Sequence, residues 1–261
     1  MLVALQQLWT HRDLLGALVS RELKSRYRRS VLGFVWSLIM PLWQVVIFTF
    51  VLKMILHVQD QNLWVKMLSA MIPWTFFSVS ILSACAAVLR FRGVIKKVYF
   101  PRQMLPLSAV AANLVHLLLS LLMLLALFAV IPVAFSPMFL YLVVLIVGEV
   151  LLVAGISLVA CCAHTYFQDV EFVLQNLFQV GMFITPVLYS ADRLDTWPHI
   201  YKTLFMLNPM AVYCEGWRSL LIYKLPPDPM FLGIALGVSV AFFLVGLAVW
   251  QRYEWRFPEV I

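Results

Sequence analysis

An all-α integral membrane protein of about six transmembrane helices is the predicted fold class, and three observations predict it. Hydrophobic residues make up 64% of the 261, and charged residues only 12%, about half the share of a typical soluble domain. The charges also leave long gaps. No Asp, Glu, Lys or Arg lies between Arg29 and Lys53, Lys66 and Arg90, Arg102 and Glu149, Glu171 and Asp192, or Asp228 and Arg252. A helix needs roughly 20 apolar residues to cross the hydrocarbon of a bilayer, and each gap is that long. Finally, Lys and Arg gather on alternate connections, as the positive-inside rule requires. No polar stretch is long enough for a separate soluble domain, so residues 1–261 read as one transmembrane domain.

The elements follow in order. Residues 1–30 read as an N-terminal interfacial amphipathic helix lying flat on the cytoplasmic surface. Leu14, Leu15, Leu18 and Val19 form one stripe, and Arg21, Lys24 and Arg28 another; membrane lipid is the natural partner of such a face. Plain positive-inside anchoring explains the same charges. The first span is placed at 31–53, with Pro41 removing a backbone donor and kinking it, and it serves as its own insertion signal. The second lies at 66–89. A basic loop, 91–105, follows. The long gap after Arg102 breaks at Pro132 and Pro137, which separates a third span at 106–131 from a fourth at 138–163. The fifth lies at 170–189 and the sixth at 230–251.

Residues 190–226 differ from the rest. They hold Asp192, Arg193, Asp195, His199, Lys202, Glu215, Arg218 and Lys224, with two short apolar pieces separated by Asn208-Pro209. Neither piece can span. Parity makes the segment an extracytoplasmic re-entrant helical hairpin between spans five and six, tolerated where protein or a water-filled cavity covers it. Six spans put both termini and 13 of the 19 basic residues in the cytoplasm. The net charge of +7 then reflects topology and anionic lipid, and nothing points to nucleic acid.

Enzyme chemistry has no foothold. The five histidines are scattered, and neither HExxH, GxSxG nor a phosphate-cradling GxxxxGK[ST] occurs, so the chain is expected to bear no catalytic residue, metal or cofactor. Energy for any vectorial work must come from another chain or from an ion gradient. The four cysteines, Cys85, Cys161, Cys162 and Cys214, lack metal-ligand spacing and read as small apolar filler.

The fifth span carries the strongest functional pattern. Phe172, Gln175, Gln179, Phe183 and Pro186 share one helical face, with Asn176 beside them. Three amides are unwelcome toward lipid. They fit the wall of a hydrophilic channel, where amides and rings meet sugar hydroxyls and sugar faces, or they serve as helix–helix glue. Trp43 and Gln44, mid-depth in the first span, are a second candidate wall. Glu149 is the one acid deep in a span, and its expected partner is His116, about one helical turn away in depth. The two form a buried structural pair or, less simply, a proton-coupling site. Before the fifth span, Asp169 and Glu171 suit a helix N-terminus, or Thr165 and Gln168 form a capping box.

Five segments in order then resemble the permease subunit of type-2 ABC exporters, in the branch that exports O-antigen, capsular polysaccharide and teichoic acid. They are "RELKSRYRRSVLGFVWSLIMPLWQ", "VIKKVYFPRQMLPLSAV", "YFQDVEFVLQ" with "FITPVLY", "LNPMAVYCEGWRSLL" and "RYEWRFPEVI". One departure is Gln168, where the family pattern leads one to expect Arg before Asp169. The resemblance implies a homodimer working with two copies of an ATPase subunit, which binds the Mg-ATP. It implies a channel between protomers lined by the first and fifth spans, in the bacterial cytoplasmic membrane. It implies a polyprenyl-diphosphate-linked glycan as cargo, with Arg26, Arg28 and Arg29 placed at the cytoplasmic lipid interface to grip the diphosphate; lipid-headgroup anchoring accounts for the same arginines. The loop between the second and third spans becomes a coupling helix, with Lys96, Lys97, Val98, Tyr99 and Arg102 facing the ATPase. An exporter of a drug or small lipid would want a greasier cavity than Gln175, Asn176 and Gln179 supply. A membrane scaffold or embedded enzyme is the remaining class.

Overall fold

Asp228 and Asn208 show how local chemistry starts the last two helices. Each precedes a proline, whose missing N–H costs nothing at the first helical position. Asn208 Oδ1 accepts from Met210 N at 3.0 Å, and Asp228 Oδ1 from Met230 N at 2.9 Å. Both are N-caps of the expected kind. The computed structural model describes residues 10–27, 35–55, 57–60, 62–95, 100–130, 139–189 and 205–257.

Within those residues the helices are α1 Arg12–Tyr27, α2 Val35–Met54, α3 Leu63–Cys85, α4 Met104–Val130, α5 Phe139–Tyr166, α6 Val170–Ile184, α7 Pro209–Arg218 and α8 Pro229–Tyr253. Short helical turns at Ala87–Arg90 and Arg92–Ile95 extend α3, and a π-helical turn, Ser219–Tyr223, ends α7. Among the described residues four helices are long and apolar enough to cross a membrane, namely Leu63–Cys85, Met104–Ala126, Leu140–Tyr166 and Pro229–Arg256. Two more, Ile39–Met54 and Val170–Ile184, are apolar but shorter.

The fifth expected span is corrected in length. Thr185 is extended, at φ −83 and ψ 145, because the proline that follows disfavours helical geometry in the residue before it. The helix therefore stops at Ile184 rather than 189. Fifteen residues reach only about 22 Å, and residues 185–189 continue as a turn.

The centre of the molecule is α3, α4, α5 and α8, with α7 wedged against α3, α5 and α8. Where α5 crosses α8, Gly155 and Gly246 bring the two backbones together. A side chain on either would strike the other helix's backbone, the small-residue contact that membrane helices use in place of hydrophobic drive. α7 lies within protein: its Met210, Val212, Tyr213, Cys214, Trp217 and Arg218 are all buried, while residues 190–204 of the expected hairpin lie outside the described residues. A second apolar cluster closes the other end of the bundle, where Leu18, Val88, Phe91, Met104, Leu158, Trp250 and Phe257 pack.

The first helix packs against its own chain. Leu18 packs in the cluster with Met104, Arg21 stacks over the Phe91 ring, Glu22 pairs with Arg90 at 3.1 Å and Arg26 reaches Asn113 and Ser83. α1 thus packs against α4 and the end of α3. Apolar positions on α1 are used against a helix of the same chain.

Candidate functional site

A cavity of about 520 Å³ opens between α1, α2, α3 and α4. Its polar lining comes from Arg26, Gln44, Thr75, Asn113, His116 and Ser120, and its apolar lining from Trp36, Met40, Phe76 and Leu117 among others. Arg26 Nη1 donates to Asn113 Oδ1 at 2.7 Å, and Nη2 to Ser83 Oγ at 3.1 Å. Asn113 is itself held, its amide donating to Ala109 O at 2.9 Å. The guanidinium is therefore oriented by two neutral oxygens. Among the described residues no carboxylate pairs with it. Arg28 and Arg29 lie outside the described residues.

His116 lines this cavity, and that overturns the expected pair. Glu149 is fully buried on the other side of the bundle, facing Trp217 of α7, and neither of its carboxyl oxygens has a hydrogen-bond partner. The Trp217 indole N–H stands near enough for electrostatic contact but outside hydrogen-bond geometry, and it too is unpartnered. Depth along the helices was matched, but azimuth was not. α5 turns Glu149 toward α7, next to Gly148, which touches Tyr213; α4 turns His116 toward α1 and α2.

The candidate wall residues are on open faces of the protomer. Of α6, Phe178 alone is buried, stacked edge-on against Phe77 of α3 at 5.3 Å. Phe172 and Phe183 are exposed by 66% and 55%, and Gln175 and Gln179 are exposed without a hydrogen bond to any described residue. Asn176 instead donates to Phe172 O at 2.8 Å, within its own helix. On α2, Trp43 is 61% exposed and Gln44 turns into the cavity. Among the described residues, Gln175 and Gln179 are thus not glue between helices of this chain. α2 and α6 approach at a second cavity of about 370 Å³, lined by Phe48, Asp60, Lys66, Phe183, Tyr189 and Arg218 among others, where Lys66 and Asp60 pair at 2.9 Å.

Arg218 fixes that end. Its side chain is fully buried and pairs with Glu215, donating also to Pro186 O at 2.7 Å and Lys66 O at 3.2 Å. One guanidinium so ties α7, the turn after α6 and the start of α3.

At the opposite end Lys96, Lys97, Val98 and Tyr99 lie outside the described residues. Arg102 is described, and it is engaged within the chain: Nη1 donates to Glu254 O at 2.6 Å, while Glu254 Oε2 accepts from Trp250 Nε1 at 2.8 Å. The capping box before α6 does not form, because Thr165 belongs to α5 and bonds Cys161 O at 2.8 Å. Glu171 faces His164 at 3.7 Å, and Gln168 is exposed. All four cysteines are free and buried, and among the described residues no cluster suits a metal.

Sequence reasoning missed Asn113 and Ser83 as partners of Arg26, and Thr75 and Ser120 as neighbours in the same cavity lining. A signal existed: Asn113, His116 and Ser120 recur at helical spacing along the 27 residues of α4, a polar stripe on an otherwise apolar helix.

Residues 13–222 match the protein family described as ABC-2 type transporter. The chain is 27% identical over 250 residues to an O-antigen export system permease protein RfbA of Klebsiella pneumoniae, covering 95% of each. Over 265 residues it is 28% identical to a protein of the same name from Myxococcus xanthus, covering 100% of each. The polysialic acid transport protein KpsM of Escherichia coli is 23% identical over 245 residues, 91% of this chain and 92% of that one.

Proposed function

The chain belongs to the ABC-2 type transporter family, and from that premise we propose that it is the membrane permease of an ATP-driven exporter of a lipid-linked polysaccharide. The permease spans the bacterial cytoplasmic membrane six times, α2 and α6 supplying the two crossings shorter than the rest, with both termini in the cytoplasm. Two copies assemble with two copies of an ATPase subunit, which binds Mg-ATP and docks at residues 91–105. The cargo is a polyprenyl-diphosphate-linked glycan.

One observation carries this reading beyond the family. α6 exposes Gln175 and Gln179, flanked by Phe172 and Phe183, with no partner for either amide among the described residues. Unpaired amides in hydrocarbon cost several kcal/mol each. They are supported by a second copy facing them across water, where amides hydrogen-bond passing hydroxyls and rings meet sugar faces. A drug or small-lipid exporter gains nothing from that lining. The polysaccharide names of the aligned relatives, matched along more than nine-tenths of the chain, favour the same cargo.

The test is co-purification with ATPase subunits of the same cell, followed by mass spectrometry of retained lipid and a deletion strain scored for surface glycan. Loss of glycan on deletion, restored by the permease and ATPase together, is the expected result. A deletion strain with normal glycan, or a permease that purifies without any ATPase, would sink the proposal.

A further inference from the structure

We propose that the glycan carried by this permease is electrically neutral, its repeat unit built of hydroxyl-bearing sugars without a carboxylate or a phosphodiester. The inference rests on the reading above, in which α2 and α6 of two copies line the passage, and it narrows the cargo class within that reading.

The wall is the first argument. On α6 the charged residue is Glu171, in the first turn; on α2 it is Lys53, in the last. From Phe172 to Ile184 and from Val35 to Leu52 no Asp, Glu, Lys or Arg occurs. At 1.5 Å per residue, the stretch on α6 alone spans about 20 Å. What it offers to a polymer are the exposed amides of Gln175 and Gln179 and the exposed rings of Phe172 and Phe183, with Trp43 exposed on α2.

Such a wall discriminates by charge. Pores that pass anions or phosphates line themselves with Arg or Lys. An amide N–H bonds a carboxylate but leaves its charge uncancelled, and the surrounding hydrocarbon makes each uncancelled charge costly. Successive anionic units also repel one another along the file. The diphosphate at the lipid end meets this barrier once per molecule, whereas the repeat unit meets it at every step. Hydroxyls exchange water for amide and amide for water at little net cost.

The mouths are the second argument. Where α6 begins, Asp169 is exposed and its side chain makes no capping bond. Glu171 is partly exposed, with His164 beyond hydrogen-bond length at 3.7 Å, and the exposed residue before Asp169 is the neutral Gln168. A polyanion arriving from the cytoplasm meets its own sign here. At the other mouth Lys66 is paired with Asp60 at 2.9 Å, and the buried Arg218 with Glu215. Lys53 stands at the end of α2 as a lone positive charge beyond the uncharged stretch. Among the described residues the series is therefore acidic at the entry, uncharged along the middle and nearly balanced at the exit. It draws no anion inward. A neutral polymer also defines the chemistry that must precede this step, glycosyl transfer from neutral sugar donors without phosphopolyol transfer.

The permease, purified with its ATPase and reconstituted in vesicles, is given two lipid-linked probes. One is a polyprenyl-diphosphate oligohexose, and the other is the same molecule with each C6 oxidised to a carboxylate. A fluorophore on the terminal sugar reports ATP-dependent translocation as protection from a membrane-impermeant reductant. The neutral probe is expected to move at least about tenfold faster, since uncompensated or like-charge contacts cost several kcal/mol. Gln175→Arg combined with Gln179→Arg is expected to narrow that ratio, and Asp169→Asn to raise the rate of the acidic probe. Equal wild-type rates, or faster movement of the acidic probe, would overturn neutral cargo and leave the exporter reading standing. So would a surface glycan, lost on deletion of the permease, with an acidic group in every repeat unit. A wild-type ratio kept by a folded double-arginine variant would overturn the part assigned to the wall. Movement of neither probe with ATP would count against the exporter reading itself and take this inference with it.

Discussion

Gly155 and Gly246 touch backbone to backbone where α5 crosses α8. A Cβ at Gly246 meets Gly155 main-chain atoms, which cannot swing aside as a side chain would. Overpacked sites cost about 1–3 kcal/mol when side chains take up the strain, and this one has none to take it. Gly246→Val is expected to lower the melting temperature in detergent sharply and to reduce folded yield. Gly233→Val and Gly237→Val, on the same helix in open space, are expected to leave both near wild type. Equal effects at all three positions would show that the crossing is loose.

Arg218→Met removes the tie between α7, the turn after α6 and α3. The lost bonds leave the Pro186 and Lys66 carbonyls short of a donor and Glu215 without its buried cation. Breaking a buried pair from one side costs about 3–5 kcal/mol. The expected outcome is a lower melting temperature with early proteolysis in the 185–225 region. Lysine at this position is expected to rescue poorly, since one ammonium cannot reach three segments. A melting curve identical to wild type would contradict the assignment.

Glu149 stands without the partner the sequence suggested. Its carboxyl is buried with no hydrogen-bond partner, so an apolar substitute removes a desolvated group and breaks no bond. Glu149→Leu is expected to leave stability unchanged or to raise it, by up to about 3 kcal/mol, the penalty of one unsatisfied buried group. Glu149 and His116 substitutions are expected to add independently, as distant sites do. A coupling energy above about 0.5 kcal/mol in the double-mutant cycle would restore the pair.

The four native cysteines are buried, so introduced cysteines can be labelled against a quiet background. Cysteine at 175 or 179 is expected to react with a water-soluble maleimide during turnover. Cysteine at 178, which replaces the buried Phe178, is not. Cysteines at Leu177 and Ile184, exposed on the protomer but facing away from the amides, are expected to sit in lipid and stay unreacted. Labelling spread evenly over all five positions would argue against a one-sided wall.

Much of this was legible in the sequence, because charge spacing follows the bilayer. The gap between Lys66 and Arg90 became α3, and the helices read on either side of Pro132 and Pro137 are α4 and α5, the prolines themselves lying outside the described residues. Asn208-Pro209 was readable as a boundary, and the structure supplies its cap. What sequence could not give was azimuth. His116 and Glu149 match in depth, yet which way each faces depends on how four helices are rolled against one another. Arg26 looked like a surface charge because α1 was read alone, and its reach to Asn113 is a property of two helices 87 positions apart. Gln175 and Gln179 were legible as unusual in either setting, since amides on an apolar helix need no tertiary information to stand out.

The uneven burial of the helices has a mechanical consequence. Among the described residues α2 buries only Pro41 and Val45, and α6 only Phe178, while α3 buries residues along nearly its whole length. Stiffness follows packing, and segments with few buried contacts open at the lowest free energy. The protomer is therefore a rigid block carrying two compliant panels. Arg102 joins the return of the 91–105 loop to the end of α8 through Glu254, and α8 is locked to α5 at the paired glycines. Arg102 is thus tied to the block through α8, so a displacement imposed at Arg102 is expected to be carried into the block and to appear where resistance is least, at the two panels.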